Sequence, residues 1–208
     1  ITKLKLAELE LLRQMEESRR RAKELETITL ISSKIRQANT NEELVIAVLE
    51  EMSQIFKAEH ATMAFFEGEY LCSEFAIHNN KLNKVKKRDK VSRQFLSFIR
   101  ANKLGFFEKI HPMAFHEMPG WLYDYSSPPY SMISYPITKE NEFTGILFMG
   151  FMTPRFFDTE QRNLVKMVAE MLGNALNRMS VTAELKSMVQ LRERELETIY
   201  KATSSATL

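Results

Sequence analysis

The densest group of chemically versatile side chains runs from Ile110 to Pro129, IHPMAFHEMPGWLYDYSSPP. It holds His111, His116, the only tryptophan (Trp121), Tyr123 and Tyr125, with four of the six prolines. Aromatic rings and two imidazoles could line a pocket. A metal site fits the spacing poorly. His111 and His116 stand five apart among prolines, so the i, i+4 helical ligand pair is not on offer. His116-Glu117 begins the metal-binding pattern His-Glu-x-x-His, but Gly120 occupies the place of the second histidine. No metal is expected. Long ordered loops often carry function, so a pocket wall is expected here, with plain loop packing as the alternative.

Two further features could do chemistry. Cys72 is the only cysteine, which rules out an intrachain disulfide and suits a reducing, cytoplasmic compartment. It falls inside a strand pattern, where a lone cysteine is usually a small core residue. Residues Asn79 to Arg93 carry Lys81, Lys84, Lys86, Lys87, Arg88, Lys90 and Arg93. Such a run could attract an anion, but a solvated loop is the plainer reading. The Arg19–Arg21 run is likewise read as a solvated helix face.

The chain has 208 residues, 44% of them hydrophobic, enough for one domain with a real core plus extensions. A net charge of +2 points to neither nucleic acid nor an acidic membrane. There is no apolar run near the roughly twenty residues that a membrane span needs. The sequence starts at Ile1 and both ends read as helix cut mid-course, as in a piece of a longer protein.

The elements that would position these groups follow from periodicity. Thr2 to Gln37 has no Pro or Gly and reads as one helix. A 3.5-residue seam runs through Leu4, Leu11, Met15, Ser18, Ala22 and Leu25. From Ile28 a denser stripe, Ile28, Ile31 and Ile35, predicts docking on a sheet. Thr40 with Glu43 forms a capping box, and Leu44, Val48, Met52 and Ile55 mark one face of the next helix. His60–Phe66 and Tyr70–Ile77 read as a hairpin around Gly68. A short helix from Val91 to Asn102 and a strand near Leu104–Glu108 follow. Ser131–Ile137 and Gly145–Phe151 form a second hairpin, its latter strand apolar on both faces. Asp158 and Gln161 then cap a long helix from Thr159 to about Ala202. Its first seam, Val165 to Met179, can pack on the sheet. Its second, Leu185, Val189, Leu196 and Ile199, has no sheet left to meet.

Strand, polar turn, Gly-led buried strand and the Phe157-Asp158-Thr159-Glu160-Gln161 helix start resemble the C-terminal half of a GAF domain. Residues 28–180 resemble one whole domain of that family; 1–27 and 181–208 resemble the signalling helices that flank it. The resemblance implies an α+β fold with a central antiparallel sheet and helices on one face. Long N- and C-terminal coiled-coil helices would extend it, and a small-molecule pocket would lie on the other face. It implies a sensory module relaying to a kinase, diguanylate cyclase or transcription-activator domain. A GAF-fold dimerisation and relay module with no ligand is the alternative, and no enzymatic role is expected for these residues. Cyclic-nucleotide binders of the family carry an Asn-Lys pair and an Asp-Glu, where this chain has Met152-Thr153-Pro154-Arg155 and Glu160-Gln161. Bilin binders use a cysteine, typically beside a histidine. Cys72 precedes Ser73 in another segment, so a colourless protein without covalent cofactor is expected.

Two sets of residues are expected to matter. Candidate pocket walls are Phe66, Phe75, His111, His116, Trp121, Tyr123, Tyr130, Met132 and Phe148, for an unknown small molecule. Candidate contacts of a parallel homodimer are Leu4, Leu11, Met15, Leu25, Leu185, Val189, Leu196 and Ile199. Neither nucleic acid nor membrane is expected as a partner.

Overall fold

The computed structural model describes residues 2–93, 97, 129–140 and 142–205. Their order is α1 (Thr2–Gln37), α2 (Asn41–Phe56), β1 (His60–Glu67), β2 (Tyr70–His78), β3 (Lys81–Lys90), β4 (Ser131–Lys139), β5 (Glu142–Phe151) and α3 (Thr159–Ser205). The five strands form one antiparallel sheet in the order β3-β2-β1-β5-β4. Of the short helix expected over Val91–Asn102, Arg93 and Ser97 are described and helical, and Val91 and Ser92 lie ahead of it; the strand near Leu104 and residues 110–128 of the expected loop lie outside the described residues.

One face of the sheet carries the helices. Ala61, Met63, Ile133, Tyr135, Leu147 and Met149 point into a core completed by Leu44, Val48 and Met52 of α2 and by Val165, Val168 and Leu172 of α3. Both N-caps form, the second as a reciprocal box; at α2 the Glu43 carboxylate accepts from the Asn39 N–H instead of that of Thr40. The Glu43 N–H donates to Thr40 Oγ1 at 3.1 Å. Gln161 N–H donates to Asp158 Oδ1 at 2.8 Å, and Asp158 N–H returns to Gln161 Oε1 at 3.1 Å. Each satisfies an N–H that a helix start leaves without an internal partner.

The stripe at Ile31 and Ile35 is buried as expected, but α1 docks chiefly on α2 and α3 and not on the sheet. Those two helices already occupy the sheet face, so a third must form an outer layer. Lys34 of α1 pairs with the buried Glu51 of α2. Removing one partner of such a pair leaves a charge without compensation. Lys34→Met should therefore cost about 1–2 kcal/mol in urea unfolding, below the fully buried case because Lys34 is partly solvated. An unchanged midpoint would show the pair to be decoration.

Arg20 of α1 meets Glu160 at the start of α3 at 2.5 Å. Ile35 and Arg36 lie beside Ala175, Arg178 and Met179 farther along. The two helices therefore run side by side in the same direction. The N-terminal part of α1 projects from one end of the domain and the C-terminal part of α3 from the other.

The basic stretch expected as a loop is a strand. Lys81–Lys90 pairs with β2 along its whole length. Only Leu82 and Val85 are apolar between Lys81 and Lys90, so no alternation shows in the sequence. Among the described residues β3 has a single strand neighbour. A strand solvated along one edge can be built from lysines because it needs little burial.

Candidate functional site

The face away from the helices is set by register. Thr62 stands opposite Phe148, His60 opposite Gly150, and Met132 opposite Gly150 on the other side. Met132 and Phe148 thus lie on the face where the pocket was expected, and both are fully buried. Polar groups share that face. Thr62 Oγ1 and Ser73 Oγ are 3.0 Å apart, and both donate to the Phe75 carbonyl, at 3.1 and 3.0 Å. His60 Nδ1 and His78 Nδ1 are 3.1 Å apart, so one ring donates and the other accepts. Tyr130 is exposed just ahead of β4. His111, His116, Trp121 and Tyr123 lie outside the described residues.

Phe75 departs from expectation. It belongs to the helix-side core. Strict alternation from Cys72, which pairs with Phe65, would put Phe75 on the opposite face. An irregular register between Thr62 and Phe65, and another between Ser73 and Phe75, adds a residue and turns Phe75 back. Such bulges leave no mark in the hydrophobic pattern.

A cavity of about 690 Å³ opens on the helix side. Its apolar part is Val45 of α2, Met63 and Phe65 of β1, Phe75 of β2 and Leu176 of α3. Its polar part includes Thr144, Ser180, Lys86, Lys139 and Cys72. Phe66 also reaches it and meets the Phe143 ring at 5.0 Å in a tilted contact. The volume suits a small molecule. Sequence reasoning missed this wall because every strand and two helices contribute to it. Lys139 read only as part of a polar turn. Among the described residues no cluster of three or more His, Cys, Asp or Glu could hold a metal ion.

Cys72 borders this cavity. Burial pushes its thiol above the usual range; a hydrogen bond and the charge of Glu67 add to that, and Arg88 opposes it. The thiolate is the reactive form, so the group should be sluggish. Iodoacetamide should alkylate Cys72 several-fold more slowly than an unstructured cysteine at about pH 8, with the rate still climbing beyond about pH 9. Glu67→Gln should speed the reaction. A rate matching free cysteine would contradict the partly buried, Glu67-facing thiol.

No protein-family model and no curated protein matches the chain. Solved structures do. A segment of a methyl-accepting chemotaxis protein aligns at 15% identity and TM-score 0.60, over 73% of this chain and 98% of that one. The GAF domain of an Acinetobacter phosphoenolpyruvate-protein phosphotransferase aligns at 11% identity and TM-score 0.59, over 76% and 94%. The phycocyanobilin-bound GAF domain of a cyanobacterial phytochrome aligns at 14% identity and TM-score 0.61, over 76% and 96%. The fold is GAF-like.

Beyond the GAF-like body the helices carry exposed apolar side chains. Leu11, Met15 and Leu25 of α1 are exposed, as are Leu185, Val189, Leu196 and Ile199 of α3. Leu4 has no described side chain. Arg192 holds the seam position between Val189 and Leu196 and pairs with Glu195 at 2.9 Å along its own helix. Leu6, Leu9, Leu12, Met188 and Leu191 are exposed off the seam, widening the apolar sector. No helix among the described residues is long and apolar enough to cross a membrane.

Proposed function

We propose that the chain is a non-catalytic sensory module. A GAF-like domain, residues 28–180, takes a small-molecule input and passes it through helices 1–27 and 181–208 of a parallel homodimer to an output domain such as a histidine kinase, diguanylate cyclase or transcription activator. The observation that carries this reading is the placement of α1 and α3. They run side by side in one direction, are joined by Arg20–Glu160, and project exposed leucine seams from opposite ends. A helix with an uncovered apolar stripe gains by pairing. A second copy offers the same stripes in register. Parallel pairing delivers both chains to paired output domains on one side.

The input site in this reading is the face opposite the helices, with Met132 and Phe148 as floor, Phe66 at the edge bordering the helix-side cavity, and His111, His116, Trp121, Tyr123 and Tyr130 as further walls. A second reading, a relay module without a ligand there, is favoured by the full burial of Met132 and Phe148. Native mass spectrometry of the purified protein separates the two. A retained small molecule supports sensing on that face if Phe148→Ala changes its occupancy. Bare protein that stays dimeric supports the relay alone, and a monomer at tens of micromolar sinks both.

A further inference from the structure

The helix-side cavity has a charge pattern of its own. Two of the carboxylates on its wall are occupied: Glu42 binds Lys84 Nζ at 3.2 Å, and Glu67 lies 3.7 Å from Arg88 Nε. That leaves Glu74 facing Lys86, Lys87 and Lys139 on the same wall. Neither Lys86 nor Lys139 pairs with a described carboxylate. Lys139 Nζ donates to Ser180 Oγ at 3.2 Å, which uses one of its three N–H groups. Beneath these cations lie Met63, Phe65, Phe75, Val45 and Leu176. A rim on which Lys86, Lys87 and Lys139 outnumber the one carboxylate left, Glu74, over an apolar floor, is the complement of a molecule with an anionic head and an apolar body.

We propose that this cavity binds a soluble anionic amphiphile of the medium-chain carboxylate type, head against Lys86 and Lys139, chain against Phe65, Phe75 and Leu176. The site is separate from the face opposite the helices, since Phe65, Phe75 and Leu176 belong to or pack on the helix-side core. A neutral apolar ligand would leave the lysines with no role. A cationic one would meet them directly. Lys139 keeps two N–H groups for the head, whereas Thr144 and Ser180 give their hydroxyl protons to the Ile137 carbonyl and to Glu184. Ser180 directly precedes, and Leu176 lies five residues before, the exposed stretch of α3 that starts at Val181, so an occupant touches the helix where it leaves the domain.

The test uses decanoate as probe, with decanol and decyltrimethylammonium as neutral and cationic counterparts. Calorimetric titration should show one decanoate per chain. Lys86→Glu and Lys139→Glu should each weaken it about tenfold or more, the loss of a charge-assisted contact, with the fold checked by circular dichroism. Decanol should bind about tenfold or more weakly and the cation not measurably. Cys72 provides a second readout on the unaltered protein, because it is the only cysteine and lies on the cavity wall. Saturating decanoate should slow its alkylation several-fold. Absence of decanoate binding at about 1 mM overturns the proposal. So does binding indifferent to both charge reversals, equal binding of decanol, or binding that leaves Cys72 alkylation unchanged.

Discussion

Gly173→Ala should lower the stability of the domain by about 2–4 kcal/mol, although alanine is the better helix former by about 1 kcal/mol. A Cβ built on Gly173 falls 2.2 Å from the Thr138 carbonyl oxygen and 3.2 Å from its carbon. Both belong to the β4 backbone, which cannot swing aside as a long side chain would. Either α3 must lift from β4 or the strand must bend, and each movement opens the core beneath Val168, Leu172 and Ala175. The sign makes the test sharp. At an exposed helix site the same exchange stabilises, so a neutral control such as Ser187→Ala should leave the urea midpoint in place or raise it. Protein concentration must be fixed across the series, because any dimer would link the midpoint to it. A Gly173→Ala protein as stable as its parent would mean that α3 does not sit this close to β4.

The second large effect is expected in the projecting part of α3. Leu185→Glu with Val189→Glu should convert a dimer into monomers. Each fully buried aliphatic side chain contributes roughly 1.5–3 kcal/mol, and a two-fold pair loses two from each chain while gaining four like charges in one seam. Association constants should fall by about a thousandfold or more, well past detection by light scattering at tens of micromolar. The core should survive, since neither residue touches it and both are exposed within one chain. Circular dichroism should therefore keep its sheet signal, with some helix lost where the unpaired tail frays. Wild-type protein that scatters as a monomer at the same concentration would remove the reason for the experiment and the relay with it.

The legible parts of the fold were those with local rules. Thr40 with Glu43 and Asp158 with Gln161 place two helix starts to the residue. Gly68, at φ +63°, marks the first hairpin. The even burial of Gly145–Phe151 reads as a central strand, and β5 does lie between β1 and β4. Gly173 read as a close approach, and Thr138 is what it approaches. Hidden features depended on distant partners. The lysines of β3 give no period because solvent meets most of that strand. A bulge turns Phe75 back toward the helices, so counting alternate residues from Cys72 puts it on the wrong face. The helix-side cavity gathers Val45, Phe65, Lys86, Lys139 and Leu176, which no spacing rule connects. On the outward helices Leu11, Met15, Leu25, Leu185, Val189, Leu196 and Ile199 are exposed, and so are Leu6, Leu9, Met188 and Leu191, so the exposed apolar sector is wider than the seam read from sequence.

The lysine-built edge has a consequence for solubility. An open strand offers its free N–H and C=O groups to any passing chain, and two such edges meeting would start an aggregate. On β3, Lys81, Lys86 and Lys87 lack carboxylate partners among the described residues, so two copies approaching edge to edge bring like charges together at strand spacing. Charge repulsion of that kind guards a strand edge. It weakens with added salt. Concentrated protein should therefore stay clear at low ionic strength and turn turbid sooner on heating in salt, and glutamine at those three lysines should remove the difference.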